Sequence, residues 1–185
     1  FMALASMILG AVAAIGQTNI KRLIAYSSIG HIGYALAGIS TGTLAGYSSS
    51  ITYITIYVIM NLGVFGCIFL MKKDGKYCED IKDLAGASKQ NPLLAIAFLI
   101  IMFSLAGIPP LAGFFAKFYV FMSVIESGMY TLAIVGLLST VISAFYYLRI
   151  IKIIYFDEIK NPFDKIKNLG ITSTVFLSCS ILVLF

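Results

Sequence analysis

The chain has 185 residues, 60% of them apolar and only 11% charged, with a formal net charge of +5 and a mean hydropathy of +0.98. A soluble domain is usually about a quarter charged, so this composition supplies too little polar surface for one and points to burial in a bilayer. The positive balance does not point to nucleic acid, because no basic stripe with interleaved aromatics occurs; loop lysines that set topology and meet anionic lipid account for it.

The pattern predicts one all-α transmembrane domain over residues 1–185, a bundle of about six membrane helices. The first covers residues 1–18, with no basic segment or cleavage-type sequence before it. A polar junction around Lys21 and Arg22 leads to a second helix over 23–40 and a third over 49–71. Residues 72–91 form a polar loop with a short surface helix over 79–85. A long segment over 92–123 follows, then a fifth helix over 130–155, a charged loop, and a sixth helix over 171–185. Both ends lie in apolar runs and read as cut from a longer chain.

The basic residues constrain the topology. If helices alternate in direction, Lys21, Arg22, Arg149, Lys152, Lys160, Lys165, Lys167 and the lysines of 72–91 all fall on one side, with Lys117 the exception. The positive-inside rule makes loops 19–22, 72–91 and 149–168 cytoplasmic, or matrix-side in a mitochondrion. Arg149, after Phe145, Tyr146 and Tyr147, fits an anchor at that interface.

A straight helix over 92–123 would be roughly 45 Å long, against about 30 Å of hydrocarbon. Its middle holds Gly107, Pro109 and Pro110: each proline removes a backbone donor, and the glycine gives the chain freedom to turn. Two half-helices meeting inside the membrane are expected there, with a polar cavity beside the freed carbonyls. Lys117 lies about two turns beyond the break. It either snorkels to the headgroups or is held in low-dielectric surroundings by the break, where a lysine can serve as a proton carrier. Its place on the basic-poor side favours the second reading.

Ser27, His31 and Tyr34 share a face of the second helix at i, i+4 and i+7. His31, the only histidine, fits either a proton relay or a hydrogen bond between helices. Gly30 and Gly33 fit close helix packing. Tyr53, Tyr57 and Asn61 make a polar stripe on the third helix, and Ser139, Ser143 and Tyr147 another on the fifth; such stripes hold water chains or bond between helices. Glu126 fits a loop charge or a proton exit. Cys67, Cys78 and Cys179 show no metal-ligand or redox spacing, and no dinucleotide or phosphate-binding turn is present.

Residues 17–31 (QTNIKRLIAYSSIGH), 104–119 (SLAGIPPLAGFFAKFY) and 145–150 (FYYLRI) together resemble the C-terminal part of the subunit N family of proton-translocating NADH:quinone oxidoreductase, respiratory complex I. Its mitochondrial counterpart is NADH dehydrogenase subunit 2. The resemblance implies half of an antiporter-like inverted-repeat fold, with the broken helix carrying the central proton-carrying lysine at Lys117 and His31 on the polar axis. It further implies no cofactor or metal on this chain: NADH, FMN, iron–sulfur clusters and quinone belong to other subunits. The implied partners are the neighbouring antiporter-like and small membrane subunits, in a bacterial inner membrane or the mitochondrial inner membrane. Subunits L and M and the Mrp cation/proton antiporters are similar, but Lys117 followed by Phe118 and Tyr119 favours subunit N. The competing functions are an Mrp-type antiporter subunit and a scaffold whose polar groups only pack helices.

Overall fold

A computed structural model describes residues 1–158, 163–164 and 169–184; Lys160, Lys165 and Lys167, assigned above to the basic side, lie outside the described residues. The elements are helix α1 (Met2–Ile15), α2 (Ile20–Ser40) and α3 (Leu44–Leu70), a two-stranded hairpin β1 (Lys72–Lys73) and β2 (Lys76–Tyr77), a 3-10 turn (Ile81–Leu84), then α4 (Ala87–Gln90), α5 (Pro92–Ala106), α6 (Ala112–Glu126), α7 (Tyr130–Phe156) and α8 (Leu169–Leu184). Among the described residues, α2, α3 and α7 have the length and apolar character to cross a bilayer alone. Helices α5 and α6 have 15 residues each, roughly 22 Å, and make one crossing in two halves.

Local chemistry sets the helix ends. The Asn19 side chain accepts from the Arg22 amide to open α2, and Thr43 accepts from the Gly46 amide to open α3. Thr43 starts α3 at Leu44, five residues before the apolar run expected from 49. Pro92 opens α5 at its first turn, where its missing N–H is harmless.

The polarity of the bundle is the reverse of a soluble protein's. Ile8, Val12, Ile51, Val58, Leu137, Val141 and Phe145 are exposed, while Ser27, His31, Ser50, Ser104, Lys117 and Ser143 are buried. An apolar exterior around a polar interior fits hydrocarbon as the solvent, and the chain is an integral membrane protein.

One end of the bundle is tied by backbone bonds. The Ile20 amide donates to the Glu79 carbonyl and the Ile81 amide to the Thr18 carbonyl, both at 2.8 Å. In the hairpin, Asp74 (φ 52°) and Gly75 (φ 73°) take the left-handed conformations of a two-residue turn. The Asp164 carboxylate accepts from both turn amides, at 3.1 and 2.8 Å. Lys21 and Glu79 form a 2.7 Å ion pair. The hydrogen bond from the Lys21 ammonium, and then its charge, hold the Glu79 carboxyl below its usual range. The pair therefore persists at neutral pH and is lost as the pH falls through that lowered value. The short surface helix expected over 79–85 is instead a 3-10 turn, with Ile81 and Leu84 facing inward and buried. Those two apolar side chains fix its orientation; only Lys82 and Asp83 point outward.

Helices α1 and α2 touch backbone to backbone. A Cβ on Gly10 would fall 2.7 Å from the Gly30 Cα, and one on Gly33 would fall 2.8 Å from the Met7 amide nitrogen. Gly30 is different: its added Cβ would sit 3.8 Å from the nearest atom. Gly10→Ala is expected to destabilise the protein by about 1–3 kcal/mol. Gly30→Ala is expected to be neutral or to stabilise by up to about 1 kcal/mol through helix propensity. Thermal unfolding of the two variants in detergent checks this; equal losses would contradict the packing described.

Candidate functional site: the helix break and its lysine

Helix α5 stops at Gly107, whose φ of 85° and ψ of 41° place it in the left-handed region. The Gly107 amide donates to the Phe103 and Ser104 carbonyls and the Ile108 amide to the Phe103 carbonyl, all at 3.0 Å, a Schellman-type ending. In a continuing helix, the Leu105 and Ala106 carbonyls would accept from the amides four residues on. Those positions are Pro109 and Pro110, which have no N–H and are joined by a cis peptide. Both carbonyls are thus stripped of backbone donors in the interior of the bundle.

Lys117 fills their place. Its Nζ donates to the Leu105 carbonyl at 2.9 Å and to the Ala106 carbonyl at 3.1 Å, and the residue is only 4% exposed. The side chain reaches back from α6 across Gly107, where an added Cβ would lie 3.1 Å from Lys117 Cδ and 3.3 Å from Nζ. The two half-helices are locked further by the Gly113 amide, which donates to Ser104 Oγ at 3.0 Å. Snorkelling does not describe this geometry: the amine turns inward to the break.

A second polar group lies on α2, α3 and α7. His31, near the middle of α2, has Nδ1 at 2.6 Å from the Tyr53 hydroxyl and Nε2 at 3.1 Å from the Tyr147 hydroxyl. Tyr147 is also hydrogen-bonded to Ser27. Ser27, Tyr147, His31 and Tyr53 therefore form a continuous row in which the imidazole accepts at one nitrogen and donates from the other. Tyr57 stacks on the imidazole at 4.6 Å. Tyr34 lies beside both groups: its ring is 5.9 Å from the His31 ring and 5.3 Å from Lys117 Nζ.

The remaining expected residues divide. Ser143 is buried and donates to the Thr140 carbonyl at 2.8 Å, and Ser139 is buried on the same helix. Asn61 is not brought to the site: it is half-buried, donates to its own Tyr57 carbonyl, and lines an outer groove with Val58, Leu62 and Phe65. Glu126 is exposed at the end of α6, and Arg149 caps the last turn of α1 through the Ile15 carbonyl at 3.0 Å. Cys67, Cys78 and Cys179 are buried free thiols. Among the described residues, no group of three or more His, Cys, Asp or Glu comes together. Two contributors were not foreseen: Thr140, hydrogen-bonded to the Tyr34 hydroxyl at 3.1 Å, and Tyr146, which packs on Tyr147 at 4.6 Å. Thr140 lies about 100° round α7 from Ser139 and enters the site through the Tyr34 hydroxyl, so the stripe through Ser139 does not mark it.

Comparison with known proteins identifies the family and the fold. The sequence profile of the family described as "NADH:quinone oxidoreductase/Mrp antiporter, TM" matches residues 1–143. NADH-quinone oxidoreductase subunit N of Pelagibacter ubique (strain HTCC1062) is 59% identical over 185 residues, covering 100% of this chain and 39% of that protein. The chain thus spans about two-fifths of that relative's length. Among solved structures, a chain of respiratory complex I from Thermus thermophilus with bound aureothin superposes with a TM-score of 0.86 at 29% identity, covering 98% of this chain and 41% of that one. A chain of the Mrp complex from Dietzia sp. DQ12-45-1b gives a TM-score of 0.78 at 28% identity, covering 84% and 29%. The half-helices joined through a buried lysine are therefore part of an antiporter-like bundle, and the chain belongs to the transmembrane family of NADH:quinone oxidoreductases and Mrp antiporters.

Proposed function

We propose that the chain is the C-terminal part of a proton-translocating subunit N of NADH:quinone oxidoreductase, and that Lys117 is a proton carrier within it. The observation that carries the reading is the ammonium seated on two carbonyls that the prolines leave without amides. An amine held this way has partners for its charged form inside the bundle, and can alternate between charged and neutral forms as hydration around the break changes. His31, bonded to a hydroxyl at each ring nitrogen, is suited to receive a proton at one side while releasing one at the other. Ser27, Tyr53 and Tyr147 extend that row, with Tyr34, Tyr57 and Ser143 lining it.

In this reading the chain is a single membrane domain and carries no redox centre. NADH, FMN, iron–sulfur clusters and quinone are held by other subunits, and quinone reduction there supplies the energy. Its partners are the neighbouring antiporter-like and small membrane subunits and the lipid bilayer. The basic loops, with Lys21, Arg22, Lys72, Lys76 and Lys82, face the cytoplasm or matrix by the positive-inside rule. An Mrp-type antiporter is the second reading; the 59% identity to subunit N over the whole chain favours the first, as does superposition over 98% of this chain on the complex I chain against 84% on the Mrp chain.

In the complete complex reconstituted in vesicles, Lys117→Ala is expected to lower coupled proton transfer roughly tenfold or more. Unchanged H⁺/e⁻ stoichiometry, or full activity in a double Lys117→Met, His31→Phe variant, would favour a scaffold instead. Sodium-dependent transport would favour the Mrp reading. Gly107→Ala is expected to cost about 1–2 kcal/mol in stability from its left-handed backbone and to push the lysine off the carbonyls. A structure of that variant with both Lys117 bonds intact would contradict the role given to the break.

A further inference from the structure

The ammonium of Lys117 has three N–H donors, and the two carbonyls of the break take two of them. No carboxylate among the described residues pairs with it: the ion pairs there are Lys21 with Glu79 and Lys152 with Asp157, both outside the bundle interior. A charge so placed would be poorly compensated by the carbonyls alone. A further near neighbour is aromatic. The Tyr34 ring centroid is 5.3 Å from Nζ, within the range at which the negative face of a ring attracts a cation.

That ring is held in place from three other helices. Its hydroxyl bonds Thr140 of α7 at 3.1 Å, and its ring meets Phe121 of α6 at 5.8 Å and Tyr53 of α3 at 6.0 Å, both edge to face. Tyr34 itself is 3% exposed, so the contact lies in the interior of the bundle, away from bulk solvent. The hydroxyl lies on the ring's rotation axis, so it is the edge-to-face packing of Phe121 and Tyr53 that fixes which way the face points.

We propose that Tyr34 is a positioning residue of the lysine site, its π face stabilising the charged form of Lys117 and completing a cradle whose other part is the Leu105 and Ala106 carbonyls. This rests on the reading of Lys117 as a proton carrier and adds to it the group that sets how firmly the loaded state is held. The hydroxyl anchors the tip, the packing of Phe121 and Tyr53 orients the face, and the face does the stabilising.

The test separates the electronic character of the ring from its volume. In the complete complex in proteoliposomes, coupled proton transfer is measured for Tyr34→Phe, for mono-, di- and trifluorinated phenylalanine introduced at the same position, and for Tyr34→Leu. Fluorine drains the ring face while adding little bulk. Tyr34→Phe is expected to stay within roughly threefold of the unmodified complex, the rate to fall stepwise with each fluorine, and Tyr34→Leu to lose roughly tenfold or more. A flat fluorine series would overturn the proposal. So would a Tyr34→Phe variant as impaired as Tyr34→Leu, which would assign the effect to the hydroxyl. Lys117→Met in the same vesicles distinguishes the two levels. If it abolishes coupled transfer while the fluorine series is flat, only the role of Tyr34 fails; if it pumps normally, the proton-carrier reading fails and takes this proposal with it.

Discussion

Two prolines remove two amides, and one lysine supplies the missing donors. The rest of the site follows from that exchange. In a low-dielectric interior an unpaired carbonyl costs on the order of 1–3 kcal/mol, and an unpaired ammonium more. Pro109 and Pro110 create the first deficit at Leu105 and Ala106, and Lys117 carries the second. Each offsets part of the other's deficit, so a cation and an interrupted helix, both unfavourable alone in a membrane, become more compatible as a pair. Gly107 makes the exchange possible twice over, by taking the left-handed turn and by leaving the space the lysine stem crosses. Because the bonds run to backbone carbonyls rather than to a carboxylate, the lysine is held by dipoles, which do not become a stranded charge when the proton leaves.

The surrounding helices convert this local arrangement into a polar interior. Helix α2 carries Ser27, His31 and Tyr34 on one face, α3 brings Tyr53 and Tyr57, and α7 brings Tyr147 and Thr140. Bonding between them is wholly through neutral groups, which suits a medium where permanent charges are costly. The close α1–α2 approach at Gly10 and Gly33 fixes α2 from its other side. At the basic end, the hairpin, the 3-10 turn and Asp164 tie the loops to the helix ends, giving the bundle one stapled face.

Much of this was legible in the residues because a membrane leaves few alternatives. An apolar run of about 30 residues with two prolines and a glycine at its centre has to break, and a lysine beside the break needs partners. Which atoms those partners are comes from counting four residues back from each proline. The failures are equally physical. A spacing of i, i+4, i+8 groups Asn61 with Tyr53 and Tyr57, but eight residues at about 100° each leave it roughly 80° off the face of Tyr53. It turns to the outer groove instead. Asp74 and Gly75 are a standard signal for a tight hairpin, but strands of only two residues on either side are too short to show as alternation. Ile81 and Leu84 bury a turn that its charged neighbours made look like surface. Thr140 matters only through a tyrosine on another helix, which no pattern along one helix reveals.

The Lys117 amine is engaged inside the bundle and closed off from bulk water. Amine labelling with a water-soluble acetylating reagent, read by mass spectrometry on the complete complex in its membrane, tests it most directly, with the exposed Lys76 and Lys82 as internal references. Lys76 and Lys82 are expected to be acetylated readily while Lys117 stays unmodified until the protein is unfolded. Labelling of Lys117 in the intact complex at the rate of Lys76 would contradict it.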